Sequence, residues 1–330
     1  MDGVSQFPPW VPIGPAQADQ IFLLVQAMEE SDGTPYRSSY EEILETFDPA
    51  YAWRAMAVWG PQNTLIAYGL SRRPVNHTDD VGVVLSGGVH PQFRNRGLGR
   101  QLLEIQLTRA QELVPFGVSR ARAFMHVESD HGYLVDLLKR AEFRHYRSYV
   151  QMRRPLDRPI GPIKTPSFIS IEPLTLDRLD EARQAHNAIY YELAGMPPRS
   201  PEQWLAQHHG LEQSWSFIAV DRRGDRPRVA GYLISSCYEQ DWEARGWSEG
   251  YIDEVAVHNE WRGQNILTSL LNSAMLAYQG DGIEFAGLDA DIDPNASDPN
   301  LAVASFENLG FEWVGQTYVM DYPLSVPPAE

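Results

Sequence analysis

Apolar positions along the chain fall into two successive runs of the same kinds of element. In the first run, "ADQIFLLVQAMEE" has helical spacing, and "WRAMAVWG" and "TLIAYGLSRR" read as short β-rich strands. A further strand, "VGVVLSGGVH", leads through an Arg/Gly turn into a helix with Leu102, Leu103, Leu107, Ala110 and Leu113 on one face. A strand, a short helix ("GYLVDLLKRAEF") and a last strand follow. The second run gives "LDRLDEARQAHNAIYYELA", "WSFIAVDRR", "RVAGYLISSCYE" and "GYIDEVAVH" in the same order. Its turn opens a helix with Ile266, Leu270, Leu271, Ala274, Met275 and Tyr278 on one face, and "LAVASFENLGF" supplies the short helix. The expected class is α/β (α+β), with a strand, turn and helix at the centre of each half.

The two runs are copies. Val89 matches Val257, His90 matches His258, Phe93 matches Trp261, Arg94 matches Arg262, and Leu102-Leu103 match Leu270-Leu271. Every pair lies 168 positions apart, as 89 and 257 show. The same offset pairs Phe143 with Phe311, Met152 with Met320, and Pro155-Leu156 with Pro323-Leu324. Upstream it slips to 162, where Ala57-Val58 meet Ala219-Val220, so one loop changed length after a duplication. "RRPLDRPIGPIKTPSF" carries four prolines and no periodicity. The expected organisation is a domain over 1–155, a proline-rich linker over 156–168 and a second domain over 169–330.

Composition narrows the function. The 330 residues are 43% hydrophobic, enough for two cores, and no apolar run approaches the roughly 20 residues of a membrane span. The amino terminus lacks the basic start and apolar block of a secretory signal, and the one cysteine, Cys237, permits no intrachain disulfide. A soluble, cytoplasmic protein without a membrane partner is expected. The formal charge of -17 speaks against nucleic acid, whose phosphates need a positive surface. It suits a small cationic amine as partner. Two fused copies can satisfy each other's surfaces, which favours a monomer. No spacing of His, Cys or carboxylates suggests a metal, and "GLDADIDPNASDPN" lacks the glycine and distal Glu of a calcium loop.

The turn "VHPQFRNRGLGRQLL" carries the chemistry. A helix start leaves amide N–H groups unpaired and bears partial positive charge, glycines let the chain wrap an anion, and arginines add charged bonds. This combination makes a phosphate cradle. A P-loop needs Lys and Ser/Thr after its last Gly, where Arg100-Gln101 stand; a dinucleotide fingerprint needs a third Gly, where Leu102 stands. Arg94-Asn95-Arg96-Gly97-Leu98-Gly99 instead resembles the Arg/Gln-x-x-Gly-x-Gly/Ala signature of the GNAT superfamily of acyl-CoA-dependent N-acetyltransferases. "SFENLGF" resembles that family's last helix and strand. The tandem arrangement is similar to that of mycothiol synthase and related actinobacterial acetyltransferases.

The resemblance implies a mostly antiparallel mixed sheet that splays near its middle, with acetyl-CoA as acyl donor. Pantetheine then pairs with Gly87, Gly88 and Val89, and the diphosphate meets the backbone from Arg94 to Gly99 and Arg100. The second-half counterparts are Val255, Val257, Arg262, Gly263, Gln264 and Asn265, with Asn300 near the last helix. There Asn265 and Leu267 replace the two signature glycines, so the second loop is expected to be degenerate. Chemistry in the family is direct attack by an amine on the thioester, helped by a base and an acid.

The first half has no carboxylate on the strand facing the thioester, whereas "GYIDEVAVH" offers Asp253 and Glu254. Neighbouring strand residues face opposite sides, so one of the two is expected in the cleft; Tyr251 shares the face of Asp253. The tyrosine that often serves the family as acid is replaced by Leu138 and Phe306, and its preceding asparagine by His131 and Pro299. His90 and His258 read as turn residues, Cys237 as a small core residue and "QDWEARGWSEGY" as a variable hairpin. The leading expectation is acetyl transfer to a small-molecule primary amine. The alternative is a non-catalytic acyl-CoA-binding sensor or scaffold.

Overall fold

The computed structural model describes residues 7–77, 79–162, 164–194, 196, 198–208, 210–292 and 301–327. The first repeat gives, in chain order, β1 (Val11–Ile13), α1 (Ala18–Asp32), α2 (Tyr40–Glu45), β2 (Tyr51–Trp59), β3 (Leu65–Pro74) and β4 (Asp80–Val89). It continues with α3 (Leu98–Glu112), β5 (Arg120–Glu128), α4 (Gly132–Arg140) and β6 (Arg144–Pro155). The second gives β7 (Ile169–Pro173), α5 (Leu179–Ala194), α6 (Pro201–Gln207), β8 (Phe217–Asp221), β9 (Arg228–Cys237) and α7 (Glu239–Arg245). Then come β10 (Glu249–Val257), α8 (Ile266–Gly280), β11 (Phe285–Ile292), α9 (Leu301–Glu307) and β12 (Glu312–Leu324). Among the described residues no helix is long and apolar enough to cross a membrane.

Two compact units result, one of Met1–Tyr146 with Tyr318–Glu330, the other of Arg147–Thr317. In the first unit the strand order is β1-β2-β3-β4-β5-β12, and in the second it is β7-β8-β9-β10-β11-β6. Within each unit the described pairs are antiparallel except one, β4 with β5 and β10 with β11. The parallel ladders are short. β4 and β5 pair from Asp80↔Arg120 to Val84↔Phe124, and β10 and β11 from Glu249↔Phe285 to Ile252↔Leu288. All four strands run on for four to five residues beyond the last pair, so each sheet opens into a split at that level.

The units differ from the expected division at 1–155, 156–168 and 169–330. β6 crosses into the second unit and pairs with β11 from Ser148↔Ile292 to Pro155↔Phe285. Val150, Met152 and Leu156 are buried in the core of that unit, while Met320 and Leu324 of β12 lie in the first core beside Phe143. The last strand of each repeat therefore completes the other unit. Nor is the proline-rich stretch a free tether. Arg154 donates to the carbonyl of Pro159 at 2.8 Å, Asn272 to that of Gly161 at 3.0 Å, and Thr165 pairs with Ser269 at 2.9 Å. Prolines there stiffen a strap whose carbonyls find donors in the second unit.

Each sheet is packed on both faces. In the second unit α8 buries Ile266, Leu270, Leu271, Ala274, Met275 and Tyr278 against one face, as their spacing predicts. On the other face Leu179, Ala182, Ala185 and Ile189 of α5 meet Tyr232, Ile234 and Ala256. The expected hairpin over Gln240–Tyr251 is instead anchored by helix α7. Arg245, only 4% exposed, is bonded to Asp241 at 3.0 Å and to Glu249, which also takes Arg153 at 2.9 Å. Arg153 lies over the ring of Trp247 at 4.0 Å, so two arginines and two carboxylates close on themselves. Cys237 is half-buried at the end of β9, and burial pushes its thiol up to about 11.

At Gly250, α8 packs close against β10. A Cβ there would lie 2.7 Å from the Tyr278 ring, which is fully buried and tied to Ser235 at 2.6 Å. Gly250→Ala is expected to remove about 1–3 kcal/mol of stability, because the ring has no free volume to enter. Denaturant unfolding monitored by tryptophan fluorescence measures it.

Candidate functional site

In each unit the central strand ends one short turn before the helix, and the two turns share a backbone. Asn95 (φ 61°) and Gly97 (φ 86°) are left-handed in the first, Gly263 (φ 74°) and Asn265 (φ 62°) in the second. Glycine and asparagine are the residues that enter this region at least strain. Each turn uses one of each, in opposite order. The second loop is thus not degenerate in conformation, contrary to expectation. A Cβ on Gly99 would point toward Leu137 at 3.7 Å, and Leu267 at the matching position is half-buried against the second core. Its branched side chain goes into packing, which removes the steric objection.

Both helix starts are open. Gly97 and Asn265 are exposed, neither provides a side-chain cap, and a Cβ on Gly97 would meet nothing within 4 Å. The first-turn amides of α3 and α8 are left for an anion. The arginines divide their roles. Arg94 donates to the carbonyl of Val89 at 3.1 Å and grips Asp32 of α1, with one bond at 2.9 Å. Its bonds to Asp32 raise the guanidinium above its ordinary value against the cost of burial. It braces the turn, whereas Arg96, stacked 5.6 Å from the Phe93 ring centroid, and Arg100 are exposed. In the second turn Arg262 is exposed, 3.4 Å from the Val257 carbonyl, and Gln264 donates to the Glu260 carbonyl. His90 and His258 cap their short turns, each ring accepting at 3.3 Å from the amide two residues on.

Upstream of the turns, the split frees one edge of each central strand. Past Val84 on β4, and past Ile252 on β10, the parallel ladder ends. Gly87, Gly88 and Val89 therefore border the first split, and Val255 and Val257 the second. Gly87 has a positive φ of 135°, and a Cβ there would lie 2.3 Å from the Tyr68 carbonyl oxygen; Gly88 packs under the sulfur of Met28. These glycines let β3 and α1 approach closely.

β10 departs from simple alternation. Ile252 faces Ser235 on β9, but the next pair is Glu254 with Ile234, so Asp253 is an extra residue in a bulge. Tyr251 opposite Ser236, Glu254 opposite Ile234 and Ala256 opposite Tyr232 consequently share the face covered by α5. Asp253 reaches the same side, where Tyr238 donates to it at 2.8 Å and Ser236 bonds it. The expectation that one carboxylate alone enters the cleft is corrected; the bulge brings in both.

Their environments are opposite. Glu254, 14% exposed, has His186 Nδ1 and the Tyr232 hydroxyl on one oxygen, each at 2.6 Å. Arg199 at 3.4 Å and His208 at 3.5 Å face the other. Burial alone would raise this carboxyl, but the bonds from His186 and His208 and the charge of Arg199 hold it well below the carboxylate range. Asp253 is open to solvent yet densely walled by protein. Desolvation raises its pKa, against the bonds from Ser236 and Tyr238. Tyr190, 4.3 Å from the His186 ring, is pushed up to about 12 by burial and by Glu254. Tyr251 lies 5.8 Å from Tyr238 and bonds Asp289, which burial likewise raises.

His186, His208, Tyr190, Arg199, Trp204 and Tyr232 were not singled out from the sequence. Two signals for them exist: His186 with Tyr190 and Trp204 with His208 are four apart on helical turns. Tyr68 stands opposite Gly88 as Tyr232 stands opposite Ala256, but Leu85 and Ser86 line the start of the first split where the carboxylates line the start of the second. Leu138 and Phe306 are buried in their cores, and His131 makes no side-chain cap at α4. Asn300 and Pro299 lie outside the described residues.

Residues 22–144 match the acetyltransferase (GNAT) family. A mycothiol acetyltransferase of Salinispora tropica is 29% identical over 299 residues, 87% of each chain, and one of Salinispora arenicola is 25% identical over 91% of each. A GCN5-related N-acetyltransferase from Sphaerobacter thermophilus has the same fold, with a TM-score of 0.69 at 21% identity over 98% of this chain and 99% of that one. A tandem GNAT protein from the clavulanic acid biosynthesis pathway matches at 0.69 and 14% identity, over 97% and 99%. Taken with the open helix start, the split sheet and the repeated unit, these matches identify the chain as an acetyl-CoA-dependent N-acetyltransferase bearing a GNAT-family domain.

Proposed function

We infer that this chain moves the acetyl group of acetyl-CoA to a primary amine of a small molecule by direct attack on the thioester, and that the chemistry belongs to the second unit. One observation carries the reading. A single strand, β10, presents two carboxylates where its ladder with β11 ends, and four residues after Asp253 it reaches Val257, one turn short of the open helix amides of α8. Those four residues span roughly 13 Å of extended chain, a length over which a pantetheine arm lies along the freed edge. Diphosphate at one end and a proton acceptor at the other is what amine acylation requires.

The cleft supports a cationic acceptor. Asp253 and Asp289 have no arginine partner among the described residues, and Tyr190, Tyr238 and Tyr251 add aromatic surface suited to an ammonium group. The named relatives make a mycothiol-related amine the first acceptor to try. Thiol release from acetyl-CoA is followed with that amine, glucosamine or cadaverine added. Amine-dependent release is expected. Silence with all three by a protein that still binds acetyl-CoA would favour the sensor or scaffold reading.

Calorimetric titration addresses the two turns. Two equivalents of acetyl-CoA are expected, the tighter at α3, where Arg96 and Arg100 both face solvent. Gly97→Val and Asn265→Val should each remove one equivalent, since valine resists the left-handed backbone, while Asn265→Gly keeps both. Loss of both equivalents from either valine variant alone would contradict independent sites.

A further inference from the structure

We propose that Asp253 takes the proton from the acceptor amine, and that Glu254 is a fixed negative charge that positions the cleft and does not itself exchange protons. The proposal rests on the acetyl-transfer reading and divides labour between two carboxylates that a β-bulge has turned to one side.

Glu254 is enclosed by polar side chains. His186 Nδ1 and the Tyr232 hydroxyl hold one of its oxygens, Arg199 donates to the other, and His208 lies 3.5 Å from that second oxygen. His208 Nδ1 donates to the Trp204 carbonyl at 2.9 Å, which fixes the ring with its Nε2 edge 3.5 Å from the carboxylate. His186 is 4% exposed, Tyr232 fully buried and His208 8% exposed. A proton arriving on the oxygen that His186 and Tyr232 hold would displace one of these donors and leave it buried without an acceptor, the unfavourable outcome for a desolvated polar group. A carboxylate so enclosed is a poor place to deliver a proton.

Asp253 is the reverse case. It is exposed, so amine and water reach it, and Tyr238 and Ser236 fill two of about four acceptor positions. Its position is decisive. Ile252↔Leu288 is the last pair of the parallel ladder, and Asp253 is the next residue on β10, at the lip of the split that receives the thioester. Charged and titratable groups surround it: Tyr238 beyond β9, His208 beyond α6, Glu254 on β10 and Tyr278 on α8, with Tyr251 of β10 bonded to Asp289 of β11. Desolvation by the surrounding protein, with a lesser contribution from the charge of Glu254, disfavours its ionised form and outweighs the bonds from Ser236 and Tyr238, so its pKa lies above that of an ordinary aspartate.

The step balances with the two substrates alone. Asp253 accepts one proton from the ammonium group, and the freed lone pair forms the N–C bond to the thioester carbonyl. The carbonyl re-forms as the C–S bond breaks, and the electron pair leaves on sulfur. The nitrogen loses its second proton to water, the thiolate takes one from water, and Asp253 returns its proton through its open side.

The test is the pH profile of kcat/KM for the full chain, with acetyl-CoA and whichever of the three amines above the wild type acetylates. The acid limb reports the base. Wild type should lose activity as pH falls through a value above that of an ordinary aspartate. Asp253→Asn should lower kcat about 100-fold or more and erase the limb, with the KM for acetyl-CoA unchanged, and Asp253→Glu should restore part of the rate. Glu254→Gln should keep a limb but move it to lower pH, since removing a neighbouring negative charge eases ionisation of Asp253. Melting curves check that both variants fold; Asp253 is exposed, so its Asn variant should melt like wild type. If Asp253→Asn keeps the acid limb and Glu254→Gln erases it, Glu254 is the base and the proposal is wrong. A wild type silent with every amine overturns the acetyl-transfer reading instead, and this assignment with it.

Discussion

The parallel ladder between β10 and β11 closes four pairs and then stops at Ile252↔Leu288. A parallel pair is held by slanted, evenly spaced bonds, and when the strands part, each is left with an edge of unpaired N–H and C=O groups. The rest of the second unit manages that edge. Gly250 lets α8 press close behind β10 before the split, α7 and its buried ion pairs flank Glu249 at the strand's start, and the turn after Val257 commits the strand's far end to a helix N-terminus. The split is a place where the fold forgoes hydrogen bonds that a ligand can make.

Charge at the split follows from the bulge. Without the extra residue, Glu254 would point with Ile252 into the α8 core, an uncompensated charge among apolar side chains. With it, Glu254 turns to α5 and α6, where His186, His208, Arg199 and Tyr232 share its burden. Removing any one of these leaves the remaining charges incompletely paired, so the cluster is rigid for the reason that makes buried ion pairs unforgiving. Asp253 escapes this enclosure because a bulged residue belongs to neither ladder. Two adjacent acids acquire opposite characters from one irregularity of backbone.

The first unit shows what is lost without that arrangement. Its turn, helix start and split are intact, and Tyr68 occupies the register of Tyr232. Its strand carries Leu85 and Ser86 at the start of the split, however, and the carboxylate near Tyr68 is Glu29 of α1, one of whose oxygens accepts from Ser38 at 2.7 Å. Burial and Glu29 push the Tyr68 hydroxyl up to about 12. The duplicated unit keeps the same turn backbone in both copies and two strand carboxylates in one.

The repeat, the strand-turn-helix at each centre, the core faces of α3 and α8 and the glycines that bend the turns were all written in residue spacing, because periodicity and helix starts are local properties. Asn265 as a tolerable substitute for glycine was legible too, and so were both carboxylates. Three things were not. That Leu267 packs inward depends on which way a helix faces its core. That Asp253 and Glu254 share a side depends on a bulge, which is a mismatch between two strands and has no trace in either alone. That the last strand of each repeat completes the other unit depends on which sheet edge Met152 and Met320 can bury themselves against, and identical spacing in both copies gives no preference. Sequence determined the local conformations and the chemical groups available; the pairing of strands, a property of segments far apart in the chain, decided which groups meet.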